Sequence, residues 1–176
     1  MDVRDLVTGH YGAAEDLATV ILRALSGAGV DIDHLEAPDL FPVDQLHAGG
    51  APASRHVLDR LEVAPGVRLL DVGCGIGGAA RMAAMTGAAV TGIDLTPEFV
   101  ETARLISDRV GLGRRTEFRT TAGESMPLDD GSFDAAVMVH VGALPPREAG
   151  AVTSAATPLA LPLGGTLRPA RDGRSP

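Results

Sequence analysis

Apolar residues recur along this chain with two different periods, and the alternation sets out its elements. Leu17, Val20, Ile21, Ala24 and Leu25 fall at helical spacing, which predicts an amphipathic helix from about Gly12 to Ser26, ended by Gly27 and Gly29. A connector from Val30 to Val43 carries Pro38 and Pro42, with Leu40 and Phe41 placed to pack on the main domain. A polar segment, Asp44 to Gly50, closes on paired glycines. A second short helix is expected near Pro52, with Val57, Leu58 and Leu61 as its apolar face. Pro65-Gly66 then turns the chain into an apolar strand, Val67 to Val72.

From there strands and helices alternate. A helix rich in alanine and methionine runs from Gly77 to about Thr86, and Ala88 to Asp94 reads as a second strand. Thr96-Pro97-Glu98 is a helix start with a capping hydroxyl, and Phe99, Val100, Ala103, Ile106 and Val110 mark that helix's buried face. Thr116 to Thr120 is a short third strand, and Ala135 to His140 a buried fourth after a turn-rich connector, Met126 to Ser132. This order predicts an α/β fold: a parallel sheet with helices on both faces, the first strand central, and ligands at the carboxyl ends of the strands.

The chemistry concentrates at one turn. The first strand runs into Asp71-Val72-Gly73-Cys74-Gly75-Ile76-Gly77-Gly78, a strand, a tight glycine turn and a helix start. Gly73, Gly75 and Gly78 match the dinucleotide fingerprint, and Asp94 lies about 20 residues further on, where a ribose-binding acid belongs. The glycines alone do not choose between a nicotinamide dinucleotide and S-adenosylmethionine. Asp71 does: a carboxylate at the strand end repels a pyrophosphate but suits, directly or through water, an amino-acid ammonium. Asp94 would then accept the ribose hydroxyls, and Leu95 would pack on adenine. The structural alternative is that Asp71 caps a turn and Asp94 caps the following helix.

Composition narrows the partners. With 176 residues the chain suits one domain, and its formal charge of −8 without a basic cluster disfavours nucleic acid. The one cysteine, Cys74, excludes an internal disulfide and sits inside the turn as a small residue that fits there. The amino terminus lacks a signal-peptide pattern, and no apolar run approaches the ~20 residues of a membrane span. The expectation is a cytoplasmic protein acting on a small molecule, with neither membrane nor nucleic acid as partner and with no metal site.

Leu70 to Gly78, followed by Val90 to Thr96, closely resembles the class I S-adenosylmethionine-dependent methyltransferases. The likeness continues through Pro127-Leu128 and Gly131-Ser132-Phe133-Asp134 and covers residues 10 to 141. Val43 to Gly50 is similar to the sarcosine/dimethylglycine methyltransferases and, more distantly, the phosphoethanolamine ones. The resemblance implies a Rossmann-like sheet with S-adenosyl-L-methionine as cofactor and methyl transfer to a small molecule, in this subgroup an amine. It implies that Asp71, Gly73 and Gly75 contact the methionine end, that Cys74 and Gly77 belong to the same cofactor-binding turn, and that Asp94 and Leu95 contact the adenosine. Gln45, His47 and Ala48 would lie near the cofactor, and Tyr11 would belong to an amino-terminal lid. The family places an acid after the third strand; here Ala122 stands in its place, which leaves for adenine the amide of Gly123 or, two places late, Glu124.

A sulfonium is already a good leaving group, so the protein's task is alignment and exclusion of water. A general base is needed only for a protonated nucleophile, and His140 and His47 are the candidates, with substrate orientation the milder role for either.

The pattern divides the chain into an amino-terminal helical segment (1–51), a cofactor-binding core (52–141) and an atypical tail (142–176). Six of the twelve prolines and none of the five aromatics fall in the tail. A complete sheet of this class needs a further helix and more strands, so the sequence leaves catalytic turnover open. The expectations for the tail are a shifted or truncated reading frame, or a half-domain completed by homodimerisation. The rival functions are a non-catalytic adenosyl-binding remnant and, less favoured, a nicotinamide-dependent oxidoreductase domain.

Overall fold

The computed structural model describes residues 16–47, 49–121 and 131–139. Its helices are α1 (Leu17–Gly27), α2 (Phe41–Asp44), α3 (Gly50–Arg60), α4 (Gly78–Met85) and α5 (Pro97–Arg109). Its strands are β1 (Arg68–Val72), β2 (Ala89–Asp94), β3 (Thr116–Thr120) and β4 (Ala135–Met138). Two 3-10 turns, Ile32–His34 and Ala37–Leu40, occupy the connector after α1.

The strands form one parallel sheet in the order β3-β2-β1-β4, so β1 is internal, as its sequence predicts. Leu69, Leu70 and Asp71 are consecutive and all buried, the mark of a strand covered on both faces. Opposite them, Leu70 registers with Thr91 and Ala136, and Asp71 with Gly92 and Val137. The β1-to-β2 and β2-to-β3 crossovers step in the same direction, which with right-handed connections puts α4 and α5 on one face. Alanines carry much of that packing. Ala80, Ala83 and Ala84 of α4 and Ala103 of α5 are buried with Leu69, Val90, Val100 and Phe118, and their small side chains bring helix and sheet close.

A second apolar cluster joins Ala18, Ile21 and Leu25 of α1 to Leu35, Leu40, Ile106 and Ile76. Ile76 belongs to the glycine turn, so α1 and its connector pack against α5 and the turn together. Asp16 caps α1 by accepting the Thr19 N–H at 2.8 Å.

The elements differ from expectation at three places. The second helix begins at Gly50 rather than near Pro52, because the proline fits its first turn. The connector is largely 3-10 and short helix. At the start of α5 the Thr96 hydroxyl makes no cap bond; the Asp94 carboxylate takes the Thr96 N–H instead, at 2.9 Å. Tyr11, Ala48, Gly123, His140 and the tail from 142 lie outside the described residues.

Candidate functional site

The carboxyl ends of β1, β2 and β3 meet at the glycine turn. Ile93 at the end of β2 accepts both the Gly73 N–H (2.8 Å) and the Cys74 N–H (3.0 Å), which folds the turn across the sheet edge. Thr121, just past β3, donates its N–H to the Asp94 carbonyl at 2.9 Å.

Asp94 is the joint of the site. One carboxylate oxygen accepts the Gly75 N–H at 2.8 Å and the other accepts the Thr96 N–H. The acid at the end of β2 is thereby locked against the glycine turn, 19 residues away along the chain. Each carboxylate oxygen keeps a second lone pair, so a fixed pair of acceptors remains for a vicinal diol. The helix-capping alternative for Asp94 is thus present in part, since Thr96 immediately precedes α5, but it uses only one oxygen. Leu95 beside it is 71% exposed, an apolar side chain standing at the rim.

The glycines divide by what surrounds them. A Cβ on Gly75 would meet nothing within 4 Å, so the bare backbone there borders open space. Gly77 differs: its φ is +85°, and a Cβ would sit 2.9 Å from both Arg81 Nη1 and Phe118 Cζ. At Gly78 a Cβ would collide with the Asp44 carbonyl and lie 2.6 Å from Gln45 Nε2. Gly75 is therefore the glycine that leaves room for a ligand, whereas Gly77 and Gly78 admit protein. Gly77→Ala should destabilise the chain by more than about 2 kcal/mol, the left-handed backbone alone costing about 1–2 kcal/mol. Chemical denaturation checks this, and a stability equal to wild type would show that Phe118 and Arg81 yield freely.

Asp71 lies behind the turn, not in the open crevice. It is buried, the Ala80 amide bonds its carboxyl, and its Oδ2 has no partner among the described residues. Burial, then the nearby Asp94 charge, push its pKa up to about 7, with the Ala80 amide opposing. An orphaned buried oxygen under the first turn of α4 suits a relayed contact through one water better than a direct ion pair with an ammonium. The Cys74 side chain also faces inward. Burial, with Asp71 and Asp94 nearby, pushes its thiol well above the usual range, so it stays protonated and inert.

Gln45 and His47 are placed by a polar network that the sequence reading did not anticipate. Arg81 and Asp44 form a fully buried ion pair, Nη2 to Oδ2 at 2.9 Å, and Arg81 Nη1 donates to Ser107 Oγ at 3.1 Å. Gln45 Nε2 donates to Asp44 Oδ1 at 2.9 Å. Ser54 Oγ donates to Gln45 Oε1 at 2.6 Å and lies 2.9 Å from His47 Nε2, which is 3.3 Å from the same Gln45 oxygen. The segment after α2 is therefore held against Gly78. The only clue in sequence is Arg81 itself, the single charge in the helix Gly-Ala-Ala-Arg-Met-Ala-Ala-Met. Among the described residues no cluster of His, Cys, Asp or Glu could hold a metal ion, and no helix is long and apolar enough to cross a membrane.

Comparison with known proteins agrees with this geometry. Residues 70–155 match the family described as "Methyltransferase domain", so the match continues past the change of character at 142. The chain is 35% identical over 134 residues to "Methyltransferase GfsG" of Streptomyces halstedii, covering 74% of this chain and 46% of that protein. It is 42% identical over 92 residues to "24-methylenesterol C-methyltransferase 2" of Oryza sativa subsp. japonica, covering 52% and 25%. A solved S-adenosylmethionine-dependent methyltransferase from Thiobacillus denitrificans, in complex with S-adenosyl-L-homocysteine, superposes with a TM-score of 0.50. Its identity is 24%, with 57% of this chain and 41% of that chain covered, which speaks for the fold. In fold, glycine turn and sequence the chain is similar to the core of the class I S-adenosylmethionine-dependent methyltransferases. The cofactor its residues fit is S-adenosyl-L-methionine: Gly75 is open, Asp94 is preset, and the buried acid at the strand end is unsuited to a pyrophosphate. The chain spans less than half the length of the curated relatives it matches here. The sarcosine/dimethylglycine subgroup expected from residues 43–50 gains no support from these relatives.

Proposed function

We propose that this chain acts as a small-molecule methyltransferase, with S-adenosyl-L-methionine held at the glycine turn between β1 and α4. The observation that carries the proposal is the Asp94 carboxylate, fixed by the Gly75 and Thr96 amides at the carboxyl edge of the sheet. Such a preset acceptor pair meets a ribose diol without reorganising. The cofactor supplies a methyl group on a sulfonium, a good leaving group. Asp94 would hold the ribose, Leu95 would cover adenine, Gly73 and Gly75 would give backbone to the methionine end, and Asp71 would reach its ammonium through water. The chain's further work is alignment, with Gln45 and His47 at one side of the turn.

The acceptor is proposed to be a small molecule. An amine follows from the likeness of residues 43–50 alone, whereas a relative named above is a sterol C-methyltransferase. His47 or His140 would orient such an acceptor, taking a proton only if it arrives protonated. The test is label transfer from methyl-tritiated S-adenosylmethionine to a panel of amines, phenols and alkenes. The expected result is transfer to one class, abolished in Asp94→Ala. Transfer undiminished in that variant would overturn the assignment of Asp94.

A further inference from the structure

We propose that Ser54 and Arg81 are positioning residues, which hold the Gln45 carboxamide and the His47 imidazole in place at the mouth of the glycine turn. The inference deepens the reading above, since it concerns how the same site is kept in shape. It starts from two facts about burial. Arg81 and Asp44 are both fully buried, yet they come from segments 37 residues apart. A charged pair so placed contributes little to net stability compared with apolar side chains of like volume. What it does supply is a fixed location for Asp44, because an unpaired guanidinium inside the protein is costly.

Location is what the neighbours use. The Asp44 carbonyl and Gln45 Nε2 lie directly over Gly78, where no side chain would fit. Gly77 leaves room for Arg81 Nη1 in the same way. The paired glycines at the end of the turn are therefore the seat of the pair and its strap. Asp44 then uses its second oxygen for Gln45 Nε2, which fixes one end of that carboxamide. Ser54, buried on α3, fixes the other end by donating to Oε1 at 2.6 Å. The same hydroxyl lies 2.9 Å from His47 Nε2. One serine thus orients two polar side chains that are themselves only partly buried.

The test uses the 176-residue chain and its Ser54→Ala variant, a small change that leaves the Arg81–Asp44 pair intact. Titration calorimetry with S-adenosylhomocysteine is run beside thermal melting. The expected result is affinity weakened by about fivefold or more with the melting temperature within about 2 °C of wild type, a split that a purely structural serine would not produce. Unchanged affinity would overturn the proposal. Should the wild-type chain bind no S-adenosylhomocysteine, the functional reading fails, and the positioning claim is judged separately by NMR of the unliganded chain. The Gln45 side-chain amide signals should then stand apart from those of solvent-exposed glutamines and move towards them in Ser54→Ala. Gln45 signals at exposed-glutamine positions in the wild type would contradict it.

Discussion

Replacing Arg81 by methionine should lower the stability of this chain by about 3–5 kcal/mol. The side chain is fully buried, and its loss leaves the Asp44 carboxylate without its counter-charge inside the protein. Asp44 already carries the strain of that position: burial raises its pKa, and Arg81 is the main opposing influence. Ser107 loses its donor as well. Asp44→Asn should cost a similar amount, because a buried guanidinium is then left with neutral partners only. The double replacement, Asp44→Asn with Arg81→Met, should cost clearly less than the two single costs added together, since neither charge then remains. Urea denaturation of the four proteins measures this cycle. Single variants within about 1 kcal/mol of wild type would show that water reaches the pair and that Asp44 is not held as described.

Replacing Asp71 by asparagine should do the opposite in alkaline buffer and stabilise the unliganded chain. Its pKa is about 7 in the folded state against 3.8 for the ordinary carboxyl, with burial the leading cause. The folded state therefore holds the proton more tightly than the unfolded state. Between pH 3.8 and about 7 the native chain carries more protons, so stability from this group falls as pH rises through that window and levels off above it. The loss is on the order of a few kcal/mol. Asparagine keeps an oxygen for the Ala80 amide and removes the charge next to Asp94. The expected result is a melting temperature well above wild type at pH 8 and a smaller gain at pH 5, with S-adenosylmethionine affinity at pH 8 reduced about tenfold. Equal melting temperatures at pH 8 would mean that the carboxylate is hydrated or paired after all.

Most of this architecture can be read from the chain because it depends on local order. Apolar strands that alternate with helices and glycines after the first strand give a parallel sheet with β1 inside, and acids at two strand ends mark the candidate site at its edge. Asp71 and Asp94 are legible for the same reason: each closes an apolar run. The Arg81–Asp44–Gln45–Ser54 network is not legible, because its members come from α4, α2 and α3 and meet only when the helices pack. A lone arginine amid alanines is the trace it leaves. The division among the glycines is equally hidden, since the fingerprint treats them as one motif. Packing shows that Gly75 borders open space while Gly77 and Gly78 are filled by Phe118, Arg81 and Asp44. The Thr96 hydroxyl shows the reverse error: a favourable cap residue loses its role when a nearby carboxylate reaches the backbone first.

The glycine turn and Asp94 are proposed to form an S-adenosylmethionine site. Titration calorimetry on the 176-residue chain with S-adenosylmethionine, S-adenosylhomocysteine and NAD tests it most directly. The two adenosyl-sulfur ligands should bind, Asp94→Ala should abolish that binding, and NAD should give no heat. Tight binding of NAD, or adenosyl binding that survives in Asp94→Ala, would contradict it.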